Sequence, residues 1–277
     1  MISGKTQLVA HLGYPTEAFK APMIYNPWFE RQGIDAVVVP MGVKPDDYRA
    51  ALASLACVTN LRGALVTMPH KVTTLTLADE VTLTAKIAGA CNALLKRPDG
   101  SWLGDQFDGT GFVRGALKKD CTIAGARALV VGSGGVGCAI AASLAAAGAA
   151  EIALFDQHAP TAEALRARLL EHYSKLVVST GSRDPFGFHI VVNATPLGMK
   201  EGDALPFDVE RVDASAFVGE VVMTSEITPL LRAARARGCR TQVGTDMLFE
   251  MIPAYLEFFG FGTATADELR AVSAIRY

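Results

Sequence analysis

The strongest constraint in this chain is a glycine-rich turn between a strand-like run and an alanine-rich helix. Residues 128–131 (ALVV) form a short aliphatic run, followed at once by Gly132-Ser133-Gly134-Gly135-Val136-Gly137. Residues 138–147 then read as an alanine-rich helix that stops at Gly148. A G-x-G-x-x-G pattern in this strand–turn–helix context predicts a dinucleotide-binding βαβ unit. Gly132 allows the tight turn, Gly134 lets backbone approach a pyrophosphate, and Gly137 lets helix and strand pack closely. Ser133, Gly135 and Val136 complete the cradle at the helix N-terminus, where free N–H groups favour phosphate. Residues 151–155 are the next strand, and it ends in Asp156, close to the ~20-residue spacing of a ribose-binding acid. Asp156 would accept both ribose hydroxyls and repel a 2′-phosphate. Gln157 and His158 follow it, with no arginine, so the expected cofactor is NAD rather than NADP.

Charge and composition exclude several other classes. The 277 residues carry 26 Lys+Arg against 28 Asp+Glu, a net charge of -2, which gives no electrostatic reason to expect nucleic acid or an anionic membrane. Half the residues are hydrophobic, enough for a sizeable core. The most apolar stretch, 138–150, is too short for a membrane span, which needs ~20 apolar residues. The opening residues lack a hydrophobic signal core. The cysteines Cys57, Cys91, Cys121, Cys138 and Cys239 lie far apart without a CxxC pair, and the histidines show no HxxxH spacing. No metal site is expected, and a reducing cytoplasm is.

The order of elements points to two α/β domains with a cleft between them. Residues 8–12, 36–41 and 63–68 are strand-like, with helices at 21–32, 45–59 and 79–89 and a further strand at 93–96. This β-α-β order favours a mainly parallel sheet covered by helices. The second half restarts the pattern from the glycine turn, with later strands at 190–193, 216–222 and 242–243. Helices at 246–259 and 266–275 close the chain. The expected division is a substrate domain over 1–109, completed by 247–277 folding back, and a Rossmann-type dinucleotide-binding domain over 110–246.

Five motifs in order resemble the shikimate/quinate dehydrogenase family. They are Thr67-Met68-Pro69-His70-Lys71, Ala88-Gly89-Ala90-Cys91-Asn92, Gly104-Asp105-Gln106-Phe107-Asp108-Gly109, the glycine turn at 132–137, and Asn193-Ala194-Thr195-Pro196-Leu197-Gly198-Met199. The resemblance covers nearly the whole chain. It implies the two-domain fold and hydride transfer between a secondary alcohol of a cyclic hydroxy acid and a nicotinamide cofactor. It also implies a catalytic pair at Lys71 and Asp108, a chemistry in which an ammonium beside a carboxylate holds the hydroxyl and relays its proton. Asn92 and Thr67 fall on substrate-binding positions. Asn193, Thr195 and Pro196 are expected against the cofactor, with Met223 and Gly244 at the nicotinamide. Taken without the motifs, Lys71 reads equally as a surface lysine after a turn, Asp108 as a helix cap and Asn92 as a turn residue.

The departures from the family concern the substrate. The family holds its carboxylate with two serines, and Phe19 and Ala21 stand at those positions. Leu65 replaces an asparagine, Phe107 a threonine, and Met251 a glutamine on the closing helix. Each buried polar partner left unpaired costs ~1–3 kcal/mol, so shikimate itself is expected to be a weak substrate. Lys20 and Arg62 are alternative sources of charge for an acid. A dinucleotide-binding sensor with little catalysis is the competing reading. A small-molecule partner is expected, and a homodimer is left open.

Overall fold

A computed structural model describes residues 2–275. It divides the chain into two α/β units: one formed by the segments up to Phe107 and from Met251 onward, the other by Asp108–Glu250. Each unit is built on a six-stranded sheet among the described residues.

The first unit runs β1 (Gln7–Gly13), α1 (Pro22–Gln32), β2 (Ala36–Gly42), α2 (Tyr48–Ala56), β3 (Leu61–Val66), α3 (Lys71–Leu77), β4 (Glu80–Val81), α4 (Leu83–Ala88), β5 (Ala93–Lys96) and β6 (Trp102–Asp105). Its sheet order is β2-β1-β3-β5-β6-β4. The strands β2, β1 and β3 are parallel, whereas β5 pairs antiparallel with both β3 and β6. The sheet is therefore mixed rather than mainly parallel. The β5–β6 hairpin turns through 97–101, where Gly100 has φ 86 and Arg97 N donates to the Ser101 carbonyl. Three further differences have local causes. Thr82 accepts from Ala85 N as the cap of α4, which splits residues 79–89 into a short strand and a short helix. The threonine-rich α3 (KVTTLTL) has weak helix propensity, and the sequence pattern assigns it no element. The two-residue β4 is too short to show a pattern.

One face of this sheet packs a core of Ala10, Leu12, Tyr48, Leu52, Ala64, Val66 and Leu94. The alternation of strand side chains sends Val9, His11 and Gly13 to the other face.

The second unit runs α5 (Asp108–Leu117), β7 (Arg127–Val131), α6 (Gly135–Ala146), β8 (Glu151–Phe155), α7 (Ala159–His172), β9 (Val177–Thr180), β10 (Ile190–Asn193), β11 (Phe217–Glu220), α8 (Pro229–Ala236) and β12 (Arg240–Gln242). The helix α9 (Gly244–Phe259) begins here and ends in the first unit, which α10 (Ala266–Val272) completes. The sheet order β12-β11-β10-β7-β8-β9 is parallel throughout, with its switch point between β7 and β10. This is the doubly wound arrangement whose ligands bind beyond the carboxyl ends of the strands. Gly109 lets α5 lie directly on α6, since a Cβ there would sit 2.0 Å from the Ala139 carbonyl oxygen. No described helix is long and apolar enough to cross a membrane.

Candidate functional site

In the second unit the glycine turn has the geometry its sequence requires. Gly132 adopts φ 104, and a Cβ there would fall 2.7 Å from the Ala194 carbonyl carbon. A Cβ on Gly137 would come 1.9 Å from the Gly132 oxygen, so helix and strand meet only because none exists. A Cβ on Gly134 would meet nothing within 4 Å, so this rim of the turn is open. Gly134 is extended and provides no side-chain cap to α6, which leaves the first helical N–H groups for a ligand. Gly135 and Val136 open the helix. Ser133 is 1% exposed and its hydroxyl has no hydrogen-bond partner, an orphan that a phosphate oxygen would satisfy. The turn therefore fits a dinucleotide pyrophosphate. The Cys138 thiol beneath it donates to the Ser133 carbonyl, and burial pushes its pKa up to about 11, so it is a packing residue.

Asp156 stands at the end of β8 beside this turn. Its Oδ2 accepts from Ser133 N at 2.7 Å and its Oδ1 from His158 N at 2.9 Å. Both oxygens therefore brace the chain's own loops. Across the sheet, Asn193 ends β10 with its whole side chain engaged. Its Oδ1 accepts from the amide and hydroxyl of Thr195, and its Nδ2 donates to the Leu197 carbonyl and to Glu220 Oε1. Glu220, at the end of β11, is fully buried and also accepts from Val221 N, Val222 N and Thr228 Oγ1. Burial raises its pKa against the pull of these donors. The sequence reading did not single out Glu220, although a carboxylate inside the apolar run FVGEVV signals a buried network. Pro196 is exposed on the loop that Asn193 braces, and Met223 is half-buried beyond β11. Gly244 lets α9 start against Val222, whose oxygen would lie 2.3 Å from a Cβ. Asp108, 1% exposed, is the first residue of α5 and is fixed there by the close packing of Gly109.

In the first unit, Thr67, Lys71 and Asn92 are held together by backbone. Thr67 N donates to the Leu12 carbonyl, and His70 N donates to the Thr67 carbonyl, turning the chain into α3. Lys71 opens α3 at 8% exposure. Its carbonyl accepts from Cys91 N, which sets the next residue, Asn92, beside the same turn. Asn92 is fully buried. Its Oδ1 accepts from Phe107 N, its carbonyl accepts from Val66 N and the Tyr255 hydroxyl, and its Nδ2 has no partner. His70 stacks flat on Tyr48 at 3.9 Å, and its Nε2–H donates to the Val43 carbonyl, so it packs the turn.

The apolar replacements lie around the same unit. Phe19 is half-buried and stacks on His11 with ring centroids 4.1 Å apart. Ala21 is buried at the start of α1 and offers no hydroxyl. Phe107 packs edge-on against Tyr255 and Phe258 of α9. Met251 is half-buried on the same helix. His11 is 7% exposed, and its Nδ1 has no hydrogen-bond partner. Burial, with the nearby charge of Lys71, lowers its pKa to about 3. No histidine spacing in the sequence pointed to it, although a histidine inside the run LVAHL is itself a signal.

Comparison with known proteins agrees with these motifs. Residues 12–94 match a family model described as the shikimate dehydrogenase substrate binding domain, and residues 117–170 match the ThiF family. A curated relative from Acidiphilium cryptum, named shikimate dehydrogenase (NADP(+)), is 36% identical over 99% of this chain and 98% of its own. A relative of the same name from Rhodospirillum rubrum is 34% identical over 98% of each. Among solved structures, 5-ketofructose reductase of Gluconobacter sp. strain CHM43 superposes with a TM-score of 0.85 and 25% identity over 98% of both chains. The expectation of NAD over NADP is corrected by the names of the curated relatives, which specify NADP(+). The physical reason is that the Asp156 carboxylate is turned to Ser133 and His158, so its presence alone does not bar a 2′-phosphate. With full-length identity well above that of chance, the chain belongs to the shikimate dehydrogenase family.

Proposed function

We propose that this chain is an NADP-linked oxidoreductase that interconverts a secondary alcohol and a ketone on a small polyhydroxylated substrate. The observation that carries the reading is the buried pair of Lys71 and Asn92, with the Asn92 Nδ2–H groups unpartnered. A buried amide donor left unpaired costs ~1–3 kcal/mol, a loss that a substrate hydroxyl would offset. The second unit takes the dinucleotide over Gly132–Gly137, and Asn193 and Glu220 shape the neighbouring loop rather than reaching for the cofactor.

The nicotinamide, when bound, supplies the hydride acceptor or donor. Lys71 exchanges the proton of the reacting hydroxyl, accepting it as the amine on oxidation and returning it as the ammonium on reduction, and the motif resemblance assigns Asp108 the carboxylate role. Asn92 donates to a neighbouring hydroxyl and fixes the carbon that reacts. Thr67 lines the same turn. Phe19 and Ala21 bring no hydroxyl to an acid group, which supports weak turnover of shikimate. The solved structure named 5-ketofructose reductase supports the reading that such a fold also serves a substrate other than shikimate.

The test is an initial-rate panel with NADP+ on shikimate, quinate and uncharged polyols of similar size. NADP-linked turnover, best on a compound other than shikimate, is the expected result. Tight NADP+ binding with no turnover on any of them would replace this reading with that of a sensor.

A further inference from the structure

We propose that His11 is a substrate contact, its ring nitrogen hydrogen-bonding an uncharged hydroxyl or carbonyl oxygen on a pocket wall shared with Phe19 and Thr67. The inference deepens the proposed function and rests on the first unit binding the substrate.

The placement follows from the strand. Ala10 and Leu12 of β1 face the core, so His11 faces the opposite side with Gly13. His11 pairs with Leu65 of β3, near the carboxyl ends of two parallel strands. A Cβ on Gly13 would lie 2.4 Å from Thr67 Cγ2 and 2.8 Å from Phe19 Cζ, so both side chains close over that strand end. The Phe19 ring lies on the imidazole at an interplanar angle of 28°. His11, Phe19 and Thr67 thus form one surface beside the turn that carries Lys71.

The chemistry argues for a ligand. A leucine would fill this position without leaving a polar atom unpaired. The chain instead keeps an imidazole whose Nδ1 is buried and unpartnered. Such a group in a native interior calls for a partner that arrives with the ligand. The nearby positive charge of Lys71 and the surrounding apolar atoms keep the ring neutral. A neutral ring carries one donor and one acceptor nitrogen, so the unpartnered Nδ1 can pair with a hydroxyl in either tautomer, and with a carbonyl when it holds the proton. A carboxylate placed there would lose its water against a phenyl ring and one neutral donor, which is strongly unfavourable.

The test uses the full chain with NADP+, comparing wild type with H11L and H11N. The substrates are shikimate and its analogue in which the carboxylate is reduced to hydroxymethyl. Wild type should turn over the hydroxymethyl compound at least about tenfold more efficiently than shikimate. H11L should raise its KM about tenfold with kcat within about twofold, and H11N, which keeps a polar atom near the Nδ1 position, should restore it. The unliganded H11L protein should melt no lower than wild type, because an unsatisfied polar group is removed. An unmoved KM, a preference for shikimate (through Lys20, for example), or an H11L midpoint lower by about 5 °C or more would overturn the proposal. If wild type turns over neither compound, the functional reading fails separately. Calorimetric titration of the hydroxymethyl compound then decides the role of His11: heat with wild type alone supports it, and equal or absent signals in both proteins overturn it.

Discussion

The two units prepare for their ligands in opposite ways. In the second unit the recognition surface is backbone: a turn shaped by absent side chains at Gly132, Gly134 and Gly137, ahead of unpaired helical N–H groups. The polar side chains beside it are mostly saturated, as the four bonds of Asn193 and those of Glu220 show, with the Ser133 hydroxyl the exception inside the turn itself. In the first unit the surface is side chains, and two of them, His11 and Asn92, keep buried polar atoms unpartnered. A backbone cradle suits a ligand common to many proteins. Orphaned side chains suit a ligand particular to one. The specificity of this enzyme is therefore expected to reside in the first unit, where the chain departs most from its family.

That contrast can be broken at several points. The largest effect is expected from G137A. Its Cβ would collide with a backbone oxygen, which cannot rotate away, so the second unit should lose about 3 kcal/mol or more and NADP+ binding with it. Denaturant unfolding and fluorescence titration check both. Normal stability and affinity would show that the turn has slack the geometry denies.

A smaller and different effect is expected from N92A in the first unit. It removes the acceptor for Phe107 N and the donor for the substrate. Stability should fall by ~1–3 kcal/mol and substrate KM should rise about tenfold to a hundredfold, while NADP+ affinity stays unchanged. A loss of cofactor affinity of the same size would erase the division of labour.

A further effect, confined to acid pH, is electrostatic and concerns His11. Its pKa falls from 6.5 when unfolded to about 3 when folded, through burial first and Lys71 second. The folded state resists the proton that the unfolded chain accepts. Its stabilising contribution is thus full above pH 6.5 and is lost as pH falls toward 3. Between pH 7 and pH 4.5 wild type should lose about 2–3 kcal/mol more than H11L. Parallel losses in the two proteins would place His11 in a more hydrated setting.

The same contrast explains what could be read from the sequence. The second unit was largely legible. Residues 151–155 and 190–193 are strands with the expected bounds, because short, largely buried aliphatic runs between helical segments leave little ambiguity. The missed strand there, β9, is an edge strand with alternating exposure and two polar residues. The first unit was harder. α3 begins at Lys71 in a threonine-rich segment, and β6 (WLGD) is short and broken by glycine. For the proposed chemistry, Lys71, Asn92 and Asp108 are assigned through motifs. His11 and Glu220 were missed because each sits inside an apolar run, where spacing rules see only a strand. The cofactor was misjudged because an acid at the end of β8 was credited with the ribose, whereas its oxygens serve the neighbouring loops.

The most direct measurement is K71A assayed beside wild type for both NADP+ affinity and steady-state turnover on the best substrate of the panel. Turnover should fall by about a thousandfold, in the range of general acid–base catalysis, with NADP+ affinity within about twofold. Turnover retained in K71A, or lost together with cofactor binding, would contradict the assignment of proton transfer to the first unit and dinucleotide binding to the second.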